Sequence, residues 1–234
     1  MNTRFVFFAL TYLSFGVLLN LVYLILLPFV LISDPLRRQY FKIYYKFHEI
    51  VSNLFWETRM TGYQVEKSPR PVIFILNHQT VLDSLPIYLA YPHLCKMVVF
   101  SGIRWLPVIG LIHMFLKNIF VNRASKSSRK AALGKSALYL RQGFSLIFAP
   151  EGTLNPTESL MPFRIGPFRL ACEIGVPVIP VRQETKVLFG NKKGLKLLPG
   201  SLRIHFFEPI DTTNKRPEDV RDIAFERIQS FRLT

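Results

Sequence analysis

Beyond about residue 65 the chain alternates short apolar runs with stretches of helical periodicity, and this alternation limits its fold more than any other feature. Residues 72–76, 97–100, 119–122, 145–148, 178–181 and 202–207 read as strands. Residues 82–90, 105–115, 127–142, 167–174 and 217–231 read as helices. Strands separated this regularly by helices predict an α/β fold, a mostly parallel or mixed sheet covered by helices. Several of the strand runs are apolar at nearly every position, as expected where both faces of a sheet are covered. With 234 residues, 50% of them hydrophobic, the chain is long enough for one such domain plus a short appendage.

The appendage is N-terminal. Residues 5–33 carry no charge, a length sufficient to cross a bilayer, which takes about 20 apolar residues. No small-residue cleavage site follows, which argues against a removed signal peptide. Arg37, Arg38, Lys42 and Lys46 come directly after, a flank that stays cytoplasmic by the positive-inside rule. In residues 36–60, Tyr40, Ile43, Tyr44, Phe47, Ile50, Val51, Leu54 and Phe55 recur at helical steps beside that basic flank. This is the pattern of an amphipathic helix lying in a membrane interface. Pro28 and the Ser33-Asp34-Pro35 turn separate the two helices, so the pair reads either as a span plus an interfacial helix or as a hairpin within one leaflet. The expected organisation is a membrane-associated helix pair in residues 1–62 and the α/β domain in residues 63–234, facing the cytoplasm.

A net charge of +15 and an isoelectric point near 10.1 call for an anionic partner. The long apolar segment favours a membrane over nucleic acid. The basic residues are dispersed and the aromatic ones cluster with apolar neighbours, unlike a base-stacking platform. Cys95 and Cys172 lie in no metal-ligand spacing and read as reduced core thiols. No metal or cofactor is implied by the sequence.

Four segments at strand ends carry candidate chemistry. In Asn77-His78-Gln79-Thr80-Val81-Leu82-Asp83, a turn between loop and helix allows Asp83 to orient the His78 imidazole as a general base. Equally, Asp83 reads as a helix N-cap beside an unrelated histidine. In Ala149-Pro150-Glu151-Gly152-Thr153-Leu154, a tight turn presents backbone N–H groups to an anion, with Glu151 free to bind a hydroxyl or hold an arginine. Lys117-Asn118-Ile119-Phe120-Val121-Asn122-Arg123 ends a strand on an arginine suited to phosphate. Gly175-Val176-Pro177-Val178-Ile179-Pro180-Val181 reads as an architectural buried strand.

In order and spacing these four segments resemble the motif blocks of the glycerolipid acyltransferases, whose best-known members are the 1-acylglycerol-3-phosphate acyltransferases. The resemblance covers roughly residues 72–181 and implies His78 as general base with Asp83 supporting it. It implies that Arg123, Glu151, Gly152 and Thr153 bind the phosphate-bearing head of the acceptor, with Lys117 beside them. The family's third block usually continues with arginine, where this chain has Leu154; Arg164 is the nearby candidate to stand in. The implied activity is transfer of an acyl chain from acyl-CoA or acyl carrier protein, as co-substrate, to the hydroxyl of a lysophospholipid in the membrane. The first acceptor to expect is 1-acyl-sn-glycerol-3-phosphate. A remodelling acyltransferase or transacylase with another head group is the alternative that Leu154 raises. A non-catalytic basic membrane-binding protein would leave the ordered motifs unexplained.

Overall fold

The computed structural model describes residue 46, residues 56–79, 87, 90, 91, 95–105, 109–155, 157, 159–185 and 200–231. The chain divides into two compact units, Met1–Leu54 and Phe55–Thr234, and the sheet with its helices belongs to the second. The helix pair expected in residues 5–55 lies outside the described residues apart from Lys46, which is helical. Among the described residues no helix is long and apolar enough to cross a membrane.

Seven described strands form one mixed sheet: β1 (Trp56–Gly62), β2 (Ile73–Leu76), β3 (Cys95–Phe100), β4 (Ile119–Val121), β5 (Ser145–Phe148), β6 (Val178–Thr185) and β7 (Gly200–Phe206). Their spatial order is β1-β7-β6-β2-β5-β3-β4. The five strands from β6 to β4 run parallel. β7 is antiparallel to β6, and β1 is parallel to β7. Four α-helices are described: α1 (Ile109–Phe115), α2 (Lys126–Arg141), α3 (Gly166–Ile174) and α4 (Pro217–Ser230). Short 3-10 turns span Val65–Lys67 and Ser101–Trp105.

The central strands β2 and β5 are buried at every residue, which is why their sequences lack polar alternation. One apolar cluster joins Ile73, Ile75 and Leu146 to Phe168 of α3 and to Val220, Ala224 and Ile228 of α4. A second, on the opposite face, joins Phe74, Ile147 and Ile179 to Ile87 and Tyr91. Cys95 and Cys172 are unbridged, and burial pushes the Cys95 thiol well up.

Two expectations change. Residues 56–60, expected to form the tail of the amphipathic helix, belong to β1. The helical repeat of aromatic residues ends at Phe55, and the Trp-Glu-Thr-Arg-Met-Thr segment pairs along its whole length with β7, from Trp56 opposite Gly200 to Gly62 opposite Phe206. Residues 55–62 therefore fall in the second compact unit. Of the helix expected over residues 105–115, Trp105 belongs instead to a 3-10 turn and Ile109–Phe115 is α-helical, with residues 106–108 outside the described residues. The helix expected over residues 82–90 lies largely outside the described residues, with Ile87 and Ala90 helical.

Candidate active site

In a parallel sheet the ends of central strands open toward one edge, where loops are free to build a site. β2 lies between β5 and β6, and His78 sits two residues past its last residue. The chain there is held with unusual completeness. Asn77, almost fully buried, uses its side-chain amide as a substitute peptide. Its Nδ2 donates to the Gln183 carbonyl at 2.9 Å, and its Oδ1 accepts the Gln183 N–H at 2.7 Å. The β2–β6 pairing thus continues one residue beyond the strand.

On the other side, the turn after β5 grips the next peptide. Glu151 Oε1 accepts the His78 N–H at 2.9 Å, and the Asn155 N–H donates to the His78 carbonyl at 2.6 Å. The second Glu151 oxygen accepts from Asn155 Nδ2 at 2.7 Å and from the Met161 N–H at 3.0 Å. A carboxylate accepting three N–H groups is well satisfied in a buried setting. Glu151 therefore stands behind the histidine and does not line the cavity that His78 faces.

That cavity has a volume of about 590 Å³. Its walls are largely apolar, with Leu76, Met97, Val99, Val121, Ile147 and Ile165 among them. His78 lines it together with three arginines, Arg123, Arg129 and Arg164, and with Gly152, Thr153 and Leu154. Arg123 follows β4 and is half-buried; burial, reinforced by Arg164, lowers its guanidinium below the usual arginine range. Its guanidinium also lies 5.5 Å from the centre of the Phe100 ring. Arg129 projects from the first turn of α2, whose start is capped by Ser125 accepting from the Ser128 N–H, and donates to the Arg123 carbonyl. Arg164 returns to the turn through its backbone N–H, which bonds the Pro150 carbonyl at 3.0 Å.

Gly152 makes this convergence feasible. It adopts φ +75°, the left-handed region open to glycine, and an added Cβ would sit 2.5 Å from Arg164 Nε. Arg164 thus passes directly over the turn whose arginine position is occupied by Leu154. Like-charged guanidiniums gathered around an apolar cavity are stabilised when an anion joins them. The combination suits an amphiphile with an acidic head.

The structure brings His78, Arg123, Gly152, Thr153 and Arg164 to one cavity. Lys117 is not among its lining residues: it is exposed, with φ 51°, in the turn before β4. Asp83 lies outside the described residues. Arg129 and His113 line the cavity without having been singled out from sequence. Arg129 sits in a basic run that reads as a solvated loop opening a helix. His113 sits in an apolar helical stretch with no motif around it.

The family model for Acyltransferase matches residues 58–184, more than half of the chain. A chloroplastic 1-acyl-sn-glycerol-3-phosphate acyltransferase of Brassica napus is 29% identical over 194 residues, covering 78% of this chain and 54% of that protein. The human 1-acyl-sn-glycerol-3-phosphate acyltransferase beta is 29% identical, covering 70% of this chain and 60% of that protein. A Haemophilus influenzae 1-acyl-sn-glycerol-3-phosphate acyltransferase is 30% identical over 164 residues, covering 69% of this chain and 67% of that protein. The chain thus spans little more than half the length of the first two relatives. The crystal structure of the 1-acyl-sn-glycerophosphate (LPA) acyltransferase of Thermotoga maritima shares the fold, with a TM-score of 0.74 at 23% identity, covering 97% of this chain and 90% of that one. With the matched region running from β1 through β6 and containing the whole turn that grips His78, the chain belongs to the acyltransferase family.

Proposed function

We propose that this protein transfers an acyl chain from an acyl thioester to the free hydroxyl of a lysophospholipid, with 1-acyl-sn-glycerol-3-phosphate as acceptor and phosphatidic acid as product. The observation that carries the reading is the sharing of one apolar cavity by His78 and three arginines. The relatives' names supply the acceptor.

His78 accepts the proton of the acceptor hydroxyl as its oxygen attacks the thioester carbonyl carbon. A C–O bond forms and the carbonyl becomes a tetrahedral oxyanion. When this collapses, the C–S bond breaks and the departing thiolate takes the proton back from the imidazolium. Asp83, five residues on, orients the imidazole. Arg123, Arg129 and Arg164 hold the phosphate of the acceptor, with the Gly152 and Thr153 turn beside them, and Arg164 supplies in space the cation that Leu154 does not. Glu151 acts through His78, fixing its peptide. The apolar walls take acyl chain. Residues 1–54 hold the catalytic unit at the cytoplasmic face of the membrane, where the net charge of +15 favours anionic lipid.

Incubating the full-length protein with lysophosphatidic acid and radiolabelled acyl-CoA tests this, with acyl carrier protein thioesters as a second donor. Labelled phosphatidic acid is the expected product. Label transferred only to lysophospholipids that lack a terminal phosphate would replace the acceptor with a remodelling substrate; transfer to no lysophospholipid would overturn the reading.

A further inference from the structure

Asn118 precedes β4, and its amide is held at both ends. Oδ1 accepts the Met97 backbone N–H at 2.8 Å, and Nδ2 lies 2.8 Å from His113 Nδ1. An amide oxygen that accepts a peptide N–H fixes which way the amide faces, so Nδ2 is the donor and His113 Nδ1 the acceptor. The proton of the neutral imidazole is therefore on Nε2. Burial pushes the His113 pKa down to about 4, which keeps the ring neutral near pH 7. Nδ1 is the ring nitrogen with a hydrogen-bond partner among the described residues; Nε2 has none there, and the ring lines the cavity. The same cavity is lined by the apolar residues Met97, Val98, Val99, Ile103 and Val121.

The sheet register gives the distance from His78. Val98 pairs with Ile119, which sets Asn118 level with Met97; Met97 pairs with Ile147, and Ile147 with Phe74. His78 is four residues beyond Phe74, about 13 Å along the strands at ~3.3 Å per residue. The order β2-β5-β3-β4 adds three strand spacings, about 14 Å across. Asn118, whose amide holds His113, is thus displaced from His78 both along and across the strands, so that a chain reacting at His78 would reach His113 with its distal part.

We propose that the cavity selects acyl chains bearing an oxygen substituent, a hydroxyl or keto group, in their distal half, and that His113 recognises it by donating its Nε2–H. An unsubstituted chain leaves this donor facing hydrocarbon, whereas an oxygen satisfies it. The inference rests on the acyl-transfer reading proposed for this site. An ordinary net hydrogen bond corresponds to a preference of about three- to tenfold.

The test supplies the full-length protein with lysophosphatidic acid and, as donors, stearoyl-CoA or its monohydroxy isomers with the hydroxyl walked along the distal half of the chain. One isomer or two adjacent ones should exceed stearoyl-CoA by about three- to tenfold in kcat/KM, and His113→Phe should bring that ratio to about one. Nitrogen-15 spectra of the histidine side chains read the tautomer without reference to activity and should show His113 protonated at Nε2. Transfer from stearoyl-CoA with no preferred isomer would overturn this proposal alone, as would a preference that survives His113→Phe or an Nδ1–H tautomer. Failure to transfer from any donor would overturn the acyl-transfer reading, and this proposal with it.

Discussion

Glu151 Oε1 accepts the backbone N–H of His78 at 2.9 Å, while Asn155, later in the same turn, donates its N–H to the His78 carbonyl. The acid of the third motif and the histidine of the first are thus one mechanical unit. Glu151→Gln replaces an acceptor with an NH₂ that faces N–H donors, at a cost of about 1–3 kcal/mol. Thermal unfolding should show that loss. Turnover should also fall, by about tenfold or more through misplacement of His78, with little change in KM for acyl-CoA. A variant of normal kcat with a raised KM for lysophosphatidic acid would instead make Glu151 a direct ligand of the acceptor.

Arg164 lies over Gly152, where a methyl group would come within 2.5 Å of Nε. Gly152→Ala is predicted to cost about 1 kcal/mol from the positive φ and to displace the guanidinium. Arg164→Ala should raise KM for lysophosphatidic acid by about ten- to a hundredfold, the size of one lost charge-assisted contact. Steady-state kinetics with monoacylglycerol, which lacks phosphate, provides the control. An equal loss on both acceptors would remove Arg164 from phosphate binding.

His113 makes stability depend on acid. Its pKa is about 4 in the fold against an ordinary 6.5, so between these values the unfolded chain binds the extra proton and the folded one does not. Stability from this group is complete above about 6.5 and declines as the pH falls toward 4, by up to about 3 kcal/mol. Denaturant unfolding across this range should show wild type losing stability relative to His113→Phe as the pH is lowered, whichever is the more stable at neutral pH. A constant difference between them would contradict a partly buried ring held neutral in the fold.

Much of the fold is readable from residues that are buried on both sides. β2, β5 and the start of β6 announce themselves as continuous apolar runs because no face of theirs meets water. β1 does not, because its partner β7 lies more than a hundred residues away and the preceding helical repeat runs up to its first residue. Pairing of that range is a tertiary choice that local propensity does not encode. The site divides in the same way. His78, Arg123 and Gly152 closely follow strands that end at one sheet edge, so their position is marked in sequence. Arg129 looks like one more basic residue of a solvated helix start, and it is indeed exposed, yet the start of α2 places it in the cavity lining. His113 acquires its role from Asn118, whose amide is oriented by a peptide on β3. Lys117 shows the reverse: it sits in a motif by spacing, but it is exposed in the turn before β4 and is not among the cavity-lining residues.

His78→Ala is the most direct test of the central claim. Full-length wild type and variant, matched for thermal unfolding, should be compared for phosphatidic acid formation from lysophosphatidic acid and acyl-CoA at saturating concentrations of both. Loss of the general base should lower kcat by on the order of a hundredfold or more with the fold intact. Near-full transfer by the folded variant would contradict it.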